Sequence, residues 1–255
     1  MKCNRYDESF KSEAVILALS GELGYAEVAR DLGIKYGTLM SWIQISMNNP
    51  KPTNKADKSG KAVLECVGDT KISTAVKKYG SASLYFDGTG DWLLGPATST
   101  NKLLGNFTIE FWVYVTAWSA NMGGMVAINN TTGSGLNGLS IYFDTSNRIN
   151  FWVNGNSAAV ATTTATYALN TWYHVALVRS GTTNTLYVNG VSSASNTATP
   201  TWPNTGLAIG VGRTYNDYAG AGYSLNGYID DLRITNGYAR YTTNFTPPSS
   251  ALITK

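Results

Sequence analysis

The stretch WYHVALVRS, residues 172–180, decides the fold because its side chains alternate with a period of two. This period puts successive side chains on opposite faces of a β-strand. One face carries Tyr173, Val175 and Leu177, and the other carries His174, Ala176 and Val178. Both faces are largely apolar, which predicts that the strand lies at the centre of a sheet that is covered on both sides.

The same alternation recurs on either side of this stretch, from Gly80 onward. It predicts seven further strands: SLYFDG (83–88), FTIEFWVYV (107–115), GLSIYFD (138–144), RINFWVNG (148–155), TLYVNGV (185–191), LAIGVG (207–212) and YIDDLRIT (228–235). Polar turn clusters such as RSGTTN separate them, and the Asn-Gly pair in VNGV is typical of a hairpin. Many short antiparallel strands in one block predict a mainly β protein with a two-sheet jelly-roll sandwich.

The first part of the chain has the period of a helix instead. Residues 6–46 predict three short helices, the first ended by Gly21, the second by Gly33, and the third running from about Tyr36 to Ile45. Two helices joined by a turn at Gly33 match helix-turn-helix geometry, in which Gly33 supplies a positive φ and Ile34 fills the core. The predicted organisation is a small helix-turn-helix-like docking unit (1–47), a basic linker (48–62) and the jelly roll (63–255).

Two resemblances follow from these motifs. Residues 80–248 resemble the laminin-G-like, concanavalin A-like jelly-roll family through SLYFDGTGDWL, FTIEFWVY, TWYHVALVRSG, TLYVNG and GYIDDLRITNGYARYTTNFTPP. The last of these is similar to endings that recur in bacteriophage virion proteins, above all fibres and decorations. Residues 5–43 resemble the N-terminal helix-turn-helix of insertion-sequence transposases through RYDESFKSEAV, AEVARDLGI and TLMSWI.

The helical unit lacks the charge that nucleic acid recognition needs. Residues 1–50 carry five basic and six acidic side chains, whereas duplex binding requires a positive excess for the phosphates. The positions of the third helix expected to face outward are Lys35, Tyr36, Thr38, Ser41 and Gln44. Duplex DNA is therefore not the expected partner, and these residues are predicted to dock on protein. Whether the linker lysines act as a basic tail or only keep the linker soluble is left open.

Four carboxylates are candidate calcium ligands. Asp87 and Asp91 lie in FDGTGD, and Asp230 and Asp231 lie in YIDDL. Since the first and last strands of such sandwiches often pair, the four could converge and supply the several oxygens that calcium needs. The resemblance also implies a structural calcium. The alternative is that these carboxylates cap turns and accept hydrogen bonds from loop amides.

Aromatic and polar residues in the predicted loops are candidates for a glycan site. The stretch GRTYNDYAGAGYSLNG, residues 212–227, is long for a loop, and long loops in compact domains are often functional. The candidate ligands are Trp118, Tyr167 and Trp202 from separate loops, and Arg213, Tyr215, Asn216, Asp217, Tyr218 and Tyr223 from this stretch. The alternative is that these aromatic residues pack in the core, since tyrosine is abundant throughout the chain.

The motifs do not predict catalysis. A glycosidase needs two carboxylates facing each other across a groove, and the strand that holds Glu110 has no second one. The lone histidine, His174, lies in an apolar strand, and no nucleophile elbow is present. We therefore expect a binding protein, with polysaccharide hydrolysis as an alternative.

Together these observations predict a non-enzymatic bacteriophage virion component, a capsid decoration or a fibre-type protein. The helical unit would attach it to virion proteins of the capsid or tail, and the jelly roll would bind host-surface glycans or stabilise the particle. The chain begins without the apolar core of a signal peptide and has no membrane-spanning run, so synthesis in the host cytoplasm and localisation in the virion are expected. Homo-oligomerisation is left open, because no heptad repeat is present. A DNA-binding regulator or mobile-element protein fused to a lectin domain is the main alternative.

Overall fold

A computed structural model describes residues 8–19, 24–48, 64–95, 101–130, 138–154, 161–202, 207–214 and 223–252. The chain divides into two units, Met1–Lys55 and Ala56–Lys255. The predicted linker lies, except for its first residue, outside the described residues, so the predicted boundaries at 47 and 62 stay predictions. Among the described residues, no helix is long and apolar enough to cross a membrane.

Among its described residues the first unit contains three helices, as predicted: α1 (Glu8–Leu19), α2 (Tyr25–Asp31) and α3 (Tyr36–Asn48). Their shared core contains Ala14, Val15, Ala18, Val28, Ala29, Ile34, Leu39 and Ile43. Gly33 has a φ of 64° in the turn between α2 and α3, a backbone conformation that glycine adopts without strain. The next residue, Ile34, is 7% exposed and donates its backbone N–H to the carbonyl of Ala29. Both predictions for this turn are confirmed.

The second unit contains fourteen strands among its described residues. In chain order they are β1 (Glu65–Val67), β2 (Lys71–Ser73), β3 (Ser83–Asp87), β4 (Trp92–Leu94), β5 (Phe107–Val115), β6 (Gly123–Asn130), β7 (Gly138–Phe143), β8 (Ile149–Val153), β9 (Ala161–Thr162), β10 (Trp172–Ser180), β11 (Thr183–Val188), β12 (Val191–Asn196), β13 (Leu207–Val211) and β14 (Asn226–Asn236). The first sheet has the order β1-β4-β13-β6-β7-β8-β9, and the second has the order β12-β11-β10-β5-β14-β3-β2.

The two sheets enclose one apolar core, so the predicted jelly-roll sandwich is confirmed. The largest fully buried side chains of this core include Phe86, Phe107, Phe111, Phe143 and Phe151. The strand WYHVALVRS is β10, which pairs with β11 on one side and with β5 on the other. Its central position, predicted from the apolar character of both faces, is thus confirmed.

The second face of β10 is covered by residues 237–252, here called the C-terminal strap. Ala239, Tyr241 and Phe245 of the strap pack against Ala176, Val178 and Tyr187, on the face of the second sheet that points away from the inter-sheet core. The rings of Tyr241 and Phe245 stack with their centroids 3.6 Å apart. The C-terminal segment that contains the motif ARYTTNFTPP therefore covers part of the outer face of the second sheet.

The predicted Asn-Gly hairpin joins β11 to β12. Asn189 and Gly190 have φ values of 49° and 78°, as a two-residue hairpin turn requires. The backbone N–H of Phe245 in the strap donates to the Gly190 carbonyl. A Cβ atom on Gly190 would lie 1.8 Å from the Phe245 carbonyl oxygen, so the close approach of the strap depends on glycine here.

Candidate functional site

The candidate site is a groove of about 370 Å³ at one end of the sandwich, here called the Trp118 groove. Three chain segments form it: the turn after β3, the connection from β5 to β6, and the entry into β14. Its lining consists of Asp87, Gly88, Thr89, Trp118, Ser119, Ala120, Asn121, Ser224 and Asn226. One aromatic ring thus lies among side chains that carry hydroxyl, amide and carboxylate groups.

The groove is held in shape by contacts behind its surface. The ring of Trp118 packs edge-to-face on Phe143 of the core, with the centroids 5.2 Å apart. The hydroxyl of Thr116 donates to the side-chain oxygen of Asn226 at 2.6 Å. The backbone N–H of Thr89 donates to the Asp87 carboxylate at 2.7 Å and fixes the turn after β3. These contacts preorganise the aromatic wall and the polar rim.

An acidic cluster lies beside this groove. The carboxylates of Asp69, Asp87 and Asp91 approach within 4.8 Å of one another. Asp91 is fully buried, and its two oxygens accept the backbone N–H groups of Asp69 at 2.8 Å and Asp87 at 3.0 Å. The three carboxylates supply the hard oxygen ligands that suit Ca²⁺, which takes six to eight of them. The donor chemistry fits calcium, and calcium binding stays a prediction.

The prediction that four aspartates converge is wrong for Asp230 and Asp231, which do not join Asp87 and Asp91. β3 and β14 do pair, but Asp87 lies opposite Asn226, four residues before Asp230. The Asp230 carboxylate accepts the backbone N–H groups of Lys78 and Tyr79. Asp231 accepts the N–H of Leu252 in the strap. These two carboxylates hold loop backbone, as the alternative interpretation expected.

The sequence missed Asp69 as a member of the cluster. It lies in the turn between β1 and β2, a region that the period of two does not resolve into strands. Two very short strands leave too few residues for an alternation to be recognised. The acidic turn residue itself was visible in the sequence, but its distance from Asp91 was not.

The predicted glycan ligands are distributed over several parts of the sandwich. Trp118 lines the groove, whereas Tyr167 and Trp202 are partly buried and pack against the core. Tyr223 is partly exposed, and its carbonyl accepts the backbone N–H groups of Gly124 and Thr214. The candidates Tyr215, Asn216, Asp217 and Tyr218 lie outside the described residues. The groove residues Asn121 and Asn226 were not predicted.

Arg213 lies in the interior. Its side chain is 3% exposed, and its guanidinium carbon is 4.8 Å from the centroid of the Trp92 ring. A cation over an aromatic face is a favourable contact when both groups are desolvated. This placement contradicts the prediction that Arg213 contacts a surface glycan, and it assigns the residue to packing.

Glu110 lies inside a charged network beneath the strap. Its carboxylate accepts hydrogen bonds from Arg233, at 2.7 and 2.9 Å, and from the Tyr241 hydroxyl at 2.7 Å. His174 Nε2 lies 3.5 Å from the same carboxylate. Burial alone would raise the pKa of Glu110, but hydrogen bonds from these three side chains and the charge of Arg233 lower it below its ordinary value. The side chain is fully buried and paired, and its hydrogen bond with Tyr241 connects the strap to β5.

Of the predicted docking residues of the first unit, Lys35 immediately precedes α3 and the others lie within it. Lys35, Tyr36 and Ser41 are exposed, and Thr38 is partly exposed. The exposed fraction of Tyr36 is 51%, which is large for an aromatic residue. The Gln44 side chain lies outside the described part of the chain. The exposure agrees with a contact surface, and the docking role itself stays a prediction.

Comparison with known families identifies the class of the protein. Residues 86–240 match the sequence model of the concanavalin A-like lectin/glucanases superfamily. Because this match spans more than half of the sequence, the chain belongs to that superfamily. Residues 1–54 match a transposase model, in agreement with the resemblance of the helical unit to transposase helix-turn-helix segments.

Solved structures with a similar fold include three proteins of low sequence identity. A Trypanosoma rangeli sialidase mutant displaying trans-sialidase activity is 16% identical, with 82% of this chain and 37% of that chain covered and a TM-score of 0.47. The binding domain of botulinum neurotoxin DC in complex with SialylT is 18% identical, with 72% and 46% covered and a TM-score of 0.49. A SAP-like pentraxin from Limulus polyphemus is 19% identical, with 51% and 63% covered and a TM-score of 0.36. The chain thus spans less than two thirds of each, and no curated protein gave a sequence match.

Proposed function

We propose that the chain is a non-catalytic glycan-binding protein and that its Trp118 groove holds a sugar ring. The observation that carries this proposal is the fixed Trp118 ring beside the polar side chains of Asp87, Asn121 and Asn226. A sugar ring has apolar C–H faces and a rim of hydroxyl groups. An aromatic wall with polar groups around it complements both.

The polar groups of the groove match sugar hydroxyls in number and type. An asparagine amide both donates and accepts hydrogen bonds, and a carboxylate accepts them. A hydroxyl likewise donates and accepts, so it can be paired at each of these positions. The volume of about 370 Å³ is at the small end of ligand pockets, roughly 300–1,000 Å³, and suits one or two rings.

Binding of the full-length chain to a printed array of bacterial and mammalian glycans tests this proposal, followed by calorimetry on the positive glycans. Trp118→Ala and Asn121→Ala should each weaken binding about tenfold, which corresponds to about 1.4 kcal/mol. Asn121 is exposed, so its replacement leaves the fold intact. Tyr238→Ala, at an exposed tyrosine outside the groove, is the matched control and should bind like the wild type. An array without positive glycans, or equal affinity in Trp118→Ala, would overturn the proposal.

We further propose that the protein is a bacteriophage virion component in which the helical unit docks on another virion protein. The resemblance of residues 227–248 to virion proteins motivates this assignment, and the exposed α3 residues Tyr36 and Ser41 supply a mostly uncharged contact surface. Mass spectrometry of purified particles tests it, since a virion component must copurify with them. Salt-sensitive binding of duplex DNA by the full chain in a gel-shift assay would favour the DNA-binding alternative instead.

A further inference from the structure

The second sheet carries a row of aromatic side chains at directly paired positions. Across strands β10, β5, β14 and β3 the register pairs Trp172 with Tyr114, Tyr114 with Tyr228, and Tyr228 with Tyr85. The next strand, β2, places Lys71 opposite Tyr85. We call the four aromatic residues the aromatic row.

The aromatic row lies on the face of the second sheet that points away from the core. The residues next to its members on β3, β5 and β14, which are Phe86, Val113 and Ile229, are buried in the inter-sheet core, so the alternating positions face outward. On β10, Trp172 and the core residue Val175 are an odd number of positions apart and so lie on opposite faces. Tyr228, in the middle, is 8% exposed, and the other three rings are partly exposed. The strap covers this face further along the strands, above Glu110.

The rings of the row contact one another in sequence. The centroid distances are 5.3 Å from Trp172 to Tyr114, 6.0 Å from Tyr114 to Tyr228, and 5.0 Å from Tyr228 to Tyr85. The Lys71 ammonium lies 5.2 Å from the Tyr85 centroid. Since neighbouring strands are about 4.8 Å apart, the four rings extend over about 14 Å.

The row is continuous with the Trp118 groove. Asp87 follows Tyr85 by two residues and Asn226 precedes Tyr228 by two residues, so both pairs share a face of the sheet. Asp87 and Asn226 themselves line the groove. A ligand leaving the groove over these two residues therefore meets the rings of Tyr85 and Tyr228 next.

We propose that the aromatic row extends the Trp118 groove into a binding site for an oligosaccharide chain of several gluco-configured rings, an inference that rests on the proposed glycan-binding function. The partly exposed rings of Tyr85, Tyr114 and Trp172 contact the C–H groups of successive sugar rings, and the hydroxyls of Tyr85 and Tyr114 pair with sugar hydroxyls. Tyr228 is largely buried and supports the rings on either side of it. Lys71, at the end of the row, donates to a further hydroxyl.

The chemistry of the row favours a glycan over other partners. A nucleic acid needs several cations for its phosphates, whereas the register row of five side chains contains one, Lys71. A protein interface core is itself enriched in tyrosine and tryptophan, so what distinguishes the row from one is that it adjoins the polar Trp118 groove through Asp87 and Asn226. Rings that each carry a polar tip suit a ligand that alternates C–H faces and hydroxyls.

Calorimetry of the full chain with two oligosaccharide ladders tests the inference: β-1,4-linked glucose and β-1,4-linked N-acetylglucosamine, each of one to six units. The wild type should bind the longer members of one ladder at least tenfold more tightly than the one- and two-unit members. Trp172→Ala and Tyr85→Ala should remove this gain while leaving the affinity for the short members unchanged. Tyr114→Phe, which keeps the ring and removes the hydroxyl, should lose part of the gain.

Two controls separate folding from binding. Thermal melts identify any variant that has lost the fold, and Lys71→Ala, at an exposed residue, gives a second measurement that does not remove a ring. Tyr238→Ala should keep the full dependence on chain length. Length dependence that persists in the folded Trp172→Ala and Tyr85→Ala variants overturns the inference and leaves the groove proposal intact. No binding of either ladder also overturns it, and only an array without positive glycans overturns the proposed function as well.

Discussion

The Tyr241 hydroxyl donates to the Glu110 carboxylate at 2.7 Å, and this contact ties the C-terminal strap to the middle of the second sheet. Glu110 lies on β5, the strand between β10 and β14. Its carboxylate is also bound by Arg233 of β14. A single buried acid therefore connects the strap with two adjacent strands.

Replacing Tyr241 by phenylalanine should destabilise the second unit. The ring stack on Phe245 remains, but the Glu110 oxygen that Tyr241 contacts keeps only the longer 3.5 Å contact with His174 Nε2. A hydrogen bond to a charged group contributes about 1.5–3 kcal/mol. Urea denaturation should show a lower midpoint for Tyr241→Phe. Tyr238→Phe, at an exposed tyrosine of the same strap, is the control and should keep the wild-type midpoint. Equal midpoints for the two variants would show that the hydrogen bond contributes nothing.

The Glu110 network should make stability depend on acid pH. The folded-state pKa of Glu110 is lowered from 4.5, so its contribution is fully present above that value and is lost as the pH falls through the lower folded-state pKa. Glu110→Gln should therefore be less stable than the wild type at pH 7, with a difference that shrinks below about pH 4.5. Free energies of unfolding measured in urea from pH 2.5 to 7 check this. A difference that stays constant across that range would contradict it.

Calcium binding at the acidic cluster gives a separate prediction. Ca²⁺ should raise the thermal midpoint, because a ligand that binds only the folded state stabilises it. Asp69→Asn, at an exposed turn residue, should abolish this shift without lowering the midpoint in EDTA. Asp91→Asn should lower the midpoint in EDTA as well, since its carboxylate accepts two backbone N–H groups. If millimolar Ca²⁺ does not change the thermal midpoint of the wild type, the cluster does not bind calcium and its role is only structural.

The approach of the strap to the β11–β12 turn can be tested with a matched glycine pair. Gly190→Ala places a Cβ atom 1.8 Å from the Phe245 carbonyl oxygen, whereas the same change at Gly181 meets nothing within 4 Å. Both glycines have positive φ, 78° and 59°, so the backbone strain is similar. We expect Gly190→Ala to cost about 1–3 kcal/mol more in the free energy of unfolding, which is the usual cost of overpacking. A cost no greater than that of Gly181→Ala would show that the strap moves away freely.

The sequence predicts the long strands because their periods are regular. β5 and β10 each span nine residues with clear alternation, and both were predicted with their exact bounds. The sequence did not predict β6. Met125 and Val126, which are consecutive in this strand, are both buried in the core, at a bulge in the pairing of β6 with β7. Two consecutive core residues break the period that makes a strand recognisable.

The candidate site was harder to predict than the fold. Asp230 and Asp231 lie in the motif YIDDL of β14, and β14 does pair with β3. The residue opposite Asp87 in this pairing is Asn226, however, and Asp230 lies four residues further along β14. Arg213 stands in a glycine- and tyrosine-rich stretch, and its position under Trp92 depends on residues far away in the chain. Register and long-range packing are set by the whole sandwich, and local sequence does not contain them.

The ion pair between buried Glu110 and partly exposed Arg233 joins positions 123 residues apart. During synthesis the acid emerges long before its cation, so the second sheet cannot close until β14 and the strap have left the ribosome. A nascent chain interrupted before residue 233 would leave a carboxylate without its counterion and an uncovered apolar sheet surface, which marks it for chaperones and proteases.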